Sequence, residues 1–120
     1  MALQLIDDGY TRTATVKASG WPAVTFVYRP ALPAEVRDYV IARAKAQNGA
    51  DEVKAVAGLL AEKMKSWDVL AGEKPAPINL GTLRRIPDPV LQKFIDVVTG
   101  YGAEEAAADE KNSDTGSAST

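Results

Sequence analysis

The sequence predicts a small α+β domain, an N-terminal β-hairpin packed on a cluster of three to four α-helices, followed by an acidic C-terminal tail. Residues 10–29 alternate apolar and polar side chains with the two-residue period of a half-buried strand. Residues 33–100 instead carry apolar side chains at helical spacing, punctuated by Gly and Pro. Beyond Tyr101 no aromatic or branched aliphatic residue occurs, so the domain is expected to span residues 1–101 and a disordered tail residues 102–120. A chain of 120 residues has room for one core.

In the hairpin, Thr11, Thr13 and Thr15 alternate with Ala14, Val16 and Ala18, and Val24, Phe26 and Tyr28 alternate with Thr25, Val27 and Arg29. Ser19-Gly20 supplies the turn, and Pro22 fits a strand start where its missing N–H does least harm. Two strands alone are only marginally stable, so they must pack on helices or on the strands of another chain, which leaves a homo-oligomer open.

Pro33 suits the first turn of a helix reaching about Gln47, with Val36, Tyr39, Val40 and Ala44 on its inner face and Asn48-Gly49 as the stop. A second helix is expected from Asp51 to about Trp67. Its seam is Val53, Val56, Ala57, Leu60, Met64 and Trp67, and Glu52, Lys54, Glu62, Lys63 and Lys65 form its solvated face. A connector, Asp68 to Asn79, carries turn and extended-chain signals at Gly72, Pro75 and Pro77. Asn79 caps a short helix through Arg85. Asp88-Pro89 then opens a last helix with Val90, Leu91, Phe94, Ile95, Val97 and Val98 on a broad apolar face, and Gly100 stops it.

Composition excludes much chemistry. With no Cys and no His there is no disulfide framework, thiolate nucleophile, Cys/His zinc site or imidazole base. Neither phosphate-loop glycine spacing is present. Asp7-Asp8 would point to opposite sides of an extended chain, and the Arg84-Arg85 pair reads as a solvated face. No catalytic, cofactor-binding or metal-binding residue is therefore expected. The net charge of −2 divides into −4 after residue 101 and +2 before it, too near neutral in the body to favour nucleic acid. No run approaches a membrane span, and the N-terminus lacks a signal-peptide pattern, so a cytoplasmic location is expected.

The order of several short features resembles the tail assembly chaperone group of tailed bacteriophages and prophages. These are the strand ending Phe26-Val27-Tyr28-Arg29-Pro30 with Leu32-Pro33 after it, and the helix finishing in Ser66-Trp67-Asp68-Val69. Gly72 and Pro77 follow, then the Leu80-to-Ile86 segment, Pro87 and the Val90–Val98 helix. The likeness covers roughly residues 9–100. It implies a non-enzymatic protein of the bacterial host cytoplasm that binds the tape measure protein, keeps it soluble and helps recruit the tail tube protein. It further implies that a longer form made by ribosomal frameshifting would extend from the tail.

Candidate partner-binding residues are Trp21 beside the hairpin turn, Leu60, Met64 and Trp67 on the second-helix seam, and Phe94 and Val98 on the last helix. Each also has a core reading. Two other functions stay open: a virion structural subunit such as a tail-completion or head–tail connector protein, and a small regulatory protein-binding domain.

Overall fold

The computed structural model describes Leu5 and residues 9–100; Asp7-Asp8 and the acidic tail lie outside the described residues. The fold is α+β. Strands β1 (Arg12–Val16) and β2 (Val24–Tyr28) form the expected hairpin, followed by α1 (Pro33–Ala44) and α2 (Gly49–Lys63). Next come β3 (Met64–Trp67), a two-stranded ribbon of β4 (Leu70–Ala71) and β5 (Lys74–Pro75), the short α3 (Leu80–Leu83), and α4 (Asp88–Thr99). The main sheet is antiparallel, in the order β1-β2-β3.

The hairpin follows its two-residue period. Ala14, Val16, Phe26 and Tyr28 are buried, while Thr13, Thr15 and Thr25 face out, with Thr15 and Thr25 hydroxyls 2.9 Å apart across the strands. Gly20 takes φ +88° at the turn, a region a side chain would strain. The caps also follow the sequence: Asn79 Oδ1 accepts the Thr82 N–H, and Gly100 ends α4 in the left-handed region. Asn48, expected only as a stop, is the N-cap of α2, its Oδ1 accepting the Asp51 N–H at 2.9 Å.

The main correction concerns the second helix. It ends at Lys63, and Met64–Trp67 form a third strand on β2. Met64 and Trp67 are three residues apart, a spacing that shares a face in a helix and alternates faces in a regular strand. Here Phe26 pairs with Trp67, Val27 with Ser66 and Tyr28 with Met64, so Lys65 is an extra residue in a bulge. The bulge turns both Met64 and Trp67 toward the core, giving a strand the side-chain spacing of a helix. Strand pairing prevails because it satisfies the second edge of β2 and still buries the same side chains.

The core joins sheet to helices through an aromatic cluster. Phe26 meets Phe94 edge-on at 5.1 Å, Tyr28 lies 5.4 Å from Phe26, and Trp67 lies 6.1 Å from Phe94. Val56, Leu60, Leu83, Leu91, Ile95 and Val98 fill the space around it. Phe94 and Leu60 are 0% exposed. Phe94→Ala is expected to lower unfolding stability by about 3–5 kcal/mol and Leu60→Ala by about 2–5 kcal/mol, read by chemical denaturation. An exposed site such as Leu80 should change it by no more than about 0.5 kcal/mol.

Candidate partner-binding surface

Of the six residues singled out from sequence, only Trp21 stands on the surface, at 43% exposure. Leu60, Met64, Phe94 and Val98 are buried, and Trp67 is half-buried with its indole N–H donating to the Ala76 carbonyl at 2.7 Å. That bond and the Phe94 contact make Trp67 the lid that ties the β4–β5 ribbon to the core. Asp68 is structural too, its Oδ1 accepting the Thr25 N–H at 3.0 Å. These five buried or half-buried side chains therefore form no standing docking surface, because their apolar area is already spent inside the fold.

The other exposed large apolar residues among those described are Leu5 near the N-terminus, Leu32 before α1, Val40 and Ile41 on α1, Leu70 on β4, and Leu80 on α3. The first helix is the second correction. Val40 and Ala44, expected to face the core, are exposed, and Tyr39 is its single buried residue. The helix is rotated so that Glu35, Val36, Tyr39 and Arg43 turn inward instead. Arg43 donates to the Tyr39 hydroxyl at 2.7 Å and lies 3.9 Å from Glu52 on α2. The sequence held one signal of this: Ile41 lies well off the Val36–Tyr39 face, so not every apolar residue of the helix fits one side.

What holds α1 is largely polar. Glu35 Oε1 accepts the Leu32 N–H at 2.8 Å, half of a capping box whose other half Leu32, lacking a side-chain acceptor, cannot complete. Glu35 Oε2 pairs at 2.6 Å with the Lys63 ammonium. Lys63, placed by the sequence on a solvated face, is only 8% exposed. It sits inward because the helix ends there and bends into β3. Two further backbone bonds fix the approach to α1: Arg29 N–H to the Lys63 carbonyl at 2.8 Å, and Ala31 N–H to the Val98 carbonyl at 2.9 Å.

Crevices flank α1 on both sides. One of about 360 Å³ against α4 is lined by Tyr39, Val40, Arg43, Ile95, Asp96 and Thr99. Another of about 410 Å³ against α2 is lined by Ala42, Ala46, Ala55 and Gly58, with Lys45, Asp51 and Lys54 at its rim. Among the described residues no three His, Cys, Asp or Glu side chains gather where they could hold a metal ion. Nor, among those residues, is any helix long and apolar enough to cross a membrane. Burial holds the Tyr39 hydroxyl above its ordinary pKa, with nearby Asp96 and Glu52 adding to the rise and Arg43 opposing it, so the group stays a neutral phenol.

No family model matches this chain, and no curated protein or solved structure matches it.

Burial raises the Glu35 pKa. The Leu32 N–H, the Lys63 hydrogen bond and charge, and the Arg29 charge outweigh that and leave it below the ordinary value of 4.5. A carboxylate held below its unfolded-state value contributes stability that is full above that value and is lost as pH falls through the folded value. Unfolding stability should therefore drop on acidification below about pH 4.5. Glu35→Gln, which keeps a cap acceptor but not the charge, should flatten this part of the acid limb. It should also cost about 1–3 kcal/mol at pH 7, as read by urea titrations across pH.

Proposed function

We propose that this chain is a non-enzymatic tail assembly chaperone of a tailed bacteriophage or prophage, working in the bacterial cytoplasm. It binds the apolar stripe of a long helical tape measure protein until the tail tube protein assembles around it. The supporting observation is the exposed apolar side chains on and just before α1, Leu32, Val40 and Ile41; Leu70 on β4 and Leu80 on α3 are exposed as well. Aggregation-prone helices are covered by transient burial of such side chains rather than by chemistry. The family resemblance is the other ground; of its features, Ser66-Trp67 end the third strand rather than a helix, and Gly72 sits in the turn of the ribbon. Nucleic acid and membrane have no part in this function.

A second reading has its own observation. Among the described residues β1 and β3 each keep one edge without a strand partner, as in a virion subunit that completes a neighbour's sheet.

Co-expression with a long helical tape measure protein separates the two. The chaperone should raise that protein's soluble yield several-fold and be missing from purified virions by mass spectrometry. Ile41→Asp and Val40→Asp should reduce the yield gain while leaving unfolding stability within about 0.5 kcal/mol, since both sites are exposed. No gain in soluble yield overturns the chaperone reading, and a stoichiometric copy in virions favours the structural one.

A further inference from the structure

We propose that α1 is a displaceable cover over the seam between α2 and α4. Beneath it, the seam accepts a partner helix that carries a carboxylate one turn before an aromatic residue. This rests on the chaperone reading for the partner's identity, though not for the movement of α1: the exposed Val40 and Ile41 make the first encounter, and the lasting contact forms beneath α1.

Three observations carry the inference. First, of the twelve residues of α1 only Tyr39 is buried, and crevices run along both flanks, one against α4 and one against α2. A third crevice of about 230 Å³, lined by Arg43, Val56, Leu91 and others, opens beneath its C-terminal end. The helix lies along α2 but commits a single buried side chain to the core, whereas six of the twelve residues of α4 are buried.

Second, its anchor is a replaceable polar contact. Glu35 faces the Lys63 ammonium from α2 and the Arg29 charge at the end of β2, and its other oxygen caps its own helix. Lys63 is nearly buried and does not tolerate loss of its counter-ion in that position. A helix that displaces α1 must therefore bring an acid to the same place. That requirement makes the occupant an acid-bearing helix and disfavours a plain apolar one.

Third, α1 itself shows the fitting pattern. Glu35 and Tyr39 are four residues apart on one face, the acid reaching Lys63 and the ring filling the seam beside Ile95. Val56, Leu91 and Ile95 already line these crevices and would be the apolar floor for the incoming helix. The connector after the helix, Lys45–Asn48, is irregular chain able to act as a hinge, while Ala31, bonded to the Val98 carbonyl, tethers the one before it.

Hydrogen exchange on the full chain tests the movement. Amides of α1 should exchange at least about tenfold faster than those of α4, and Glu35→Gln should speed α1 about tenfold more with α4 unchanged. Exchange of α1 and α4 together, at one rate in both proteins, overturns the cover. A synthetic peptide of residues 31–46 tests the occupant. It should bind the full chain carrying Glu35→Gln more tightly than the wild type, whose own α1 competes. A peptide with Gln at position 35 should bind at least about tenfold more weakly, since it brings no charge to Lys63. Equal binding of the two peptides, or no binding of either, overturns the acid requirement.

Because the chain has no native Cys, Val40→Cys with Thr99→Cys places two thiols in the α1–α4 groove for a cleavable bismaleimide, leaving Glu35 intact. Peptide binding should vanish on bridging and return on cleavage; binding that survives the bridge overturns displacement. Should all three hold while no helical tail protein is kept soluble, the chaperone reading falls and the cover stands.

Discussion

Lys63 is where four parts of the chain are fastened together. It is the last residue of α2, and the chain passes from it into β3 with no intervening loop. Its carbonyl accepts the Arg29 N–H at the end of β2, and its ammonium pairs with Glu35 in the first turn of α1. A lysine so placed cannot return to water without moving a helix end, a strand end or a helix start. Charge in a mostly dry position is costly unless paired, so the position of α1 is set by an electrostatic demand on α2.

The apolar core is laid out around that joint. The helix-to-strand transition sends Met64 and Trp67 to the sheet while Val56 and Leu60 remain on the helix, and all four feed one cluster centred on Phe26 and Phe94. Because α4 and the sheet supply most of that cluster, α1 has little left to bury. Its outward Val40 and Ile41 follow from this division of the core.

How much of this the sequence discloses depends on whether the cause is local. The hairpin, the Asn79 cap, the Gly100 stop and the α4 core face are each dictated by neighbours in sequence, and each is where the pattern puts it. The α2–β3 boundary is set by a distant partner. The free edge of β2 draws Met64–Trp67 into a strand, and a one-residue bulge preserves the spacing that reads as helix. The same holds for the candidate surface. Phe94, Val98, Leu60 and Met64 are strongly apolar, which marks them equally as core and as interface, and only the fold assigns them to the core. Lys63 reads as a surface charge because nothing near it in sequence shows that the helix ends there, beside Glu35.

The energetics of a helix held this way favour exchange over rigidity. A segment of twelve residues is too short to remain helical alone in water, so leaving the body also means melting. Each residue freed regains roughly 1–2 kcal/mol of backbone entropy, which offsets a large part of the lost helical hydrogen bonds and the single buried ring. What remains is the Glu35–Lys63 pair together with the apolar surface of α2 and α4 uncovered beneath Tyr39, which a carboxylate and a ring on an incoming helix would restore. A helix locked by apolar interdigitation would instead need its shape matched before it could be replaced. On the proposed displacement, a competitor would have to supply both that charge and that ring, the two features by which α1 itself holds its place.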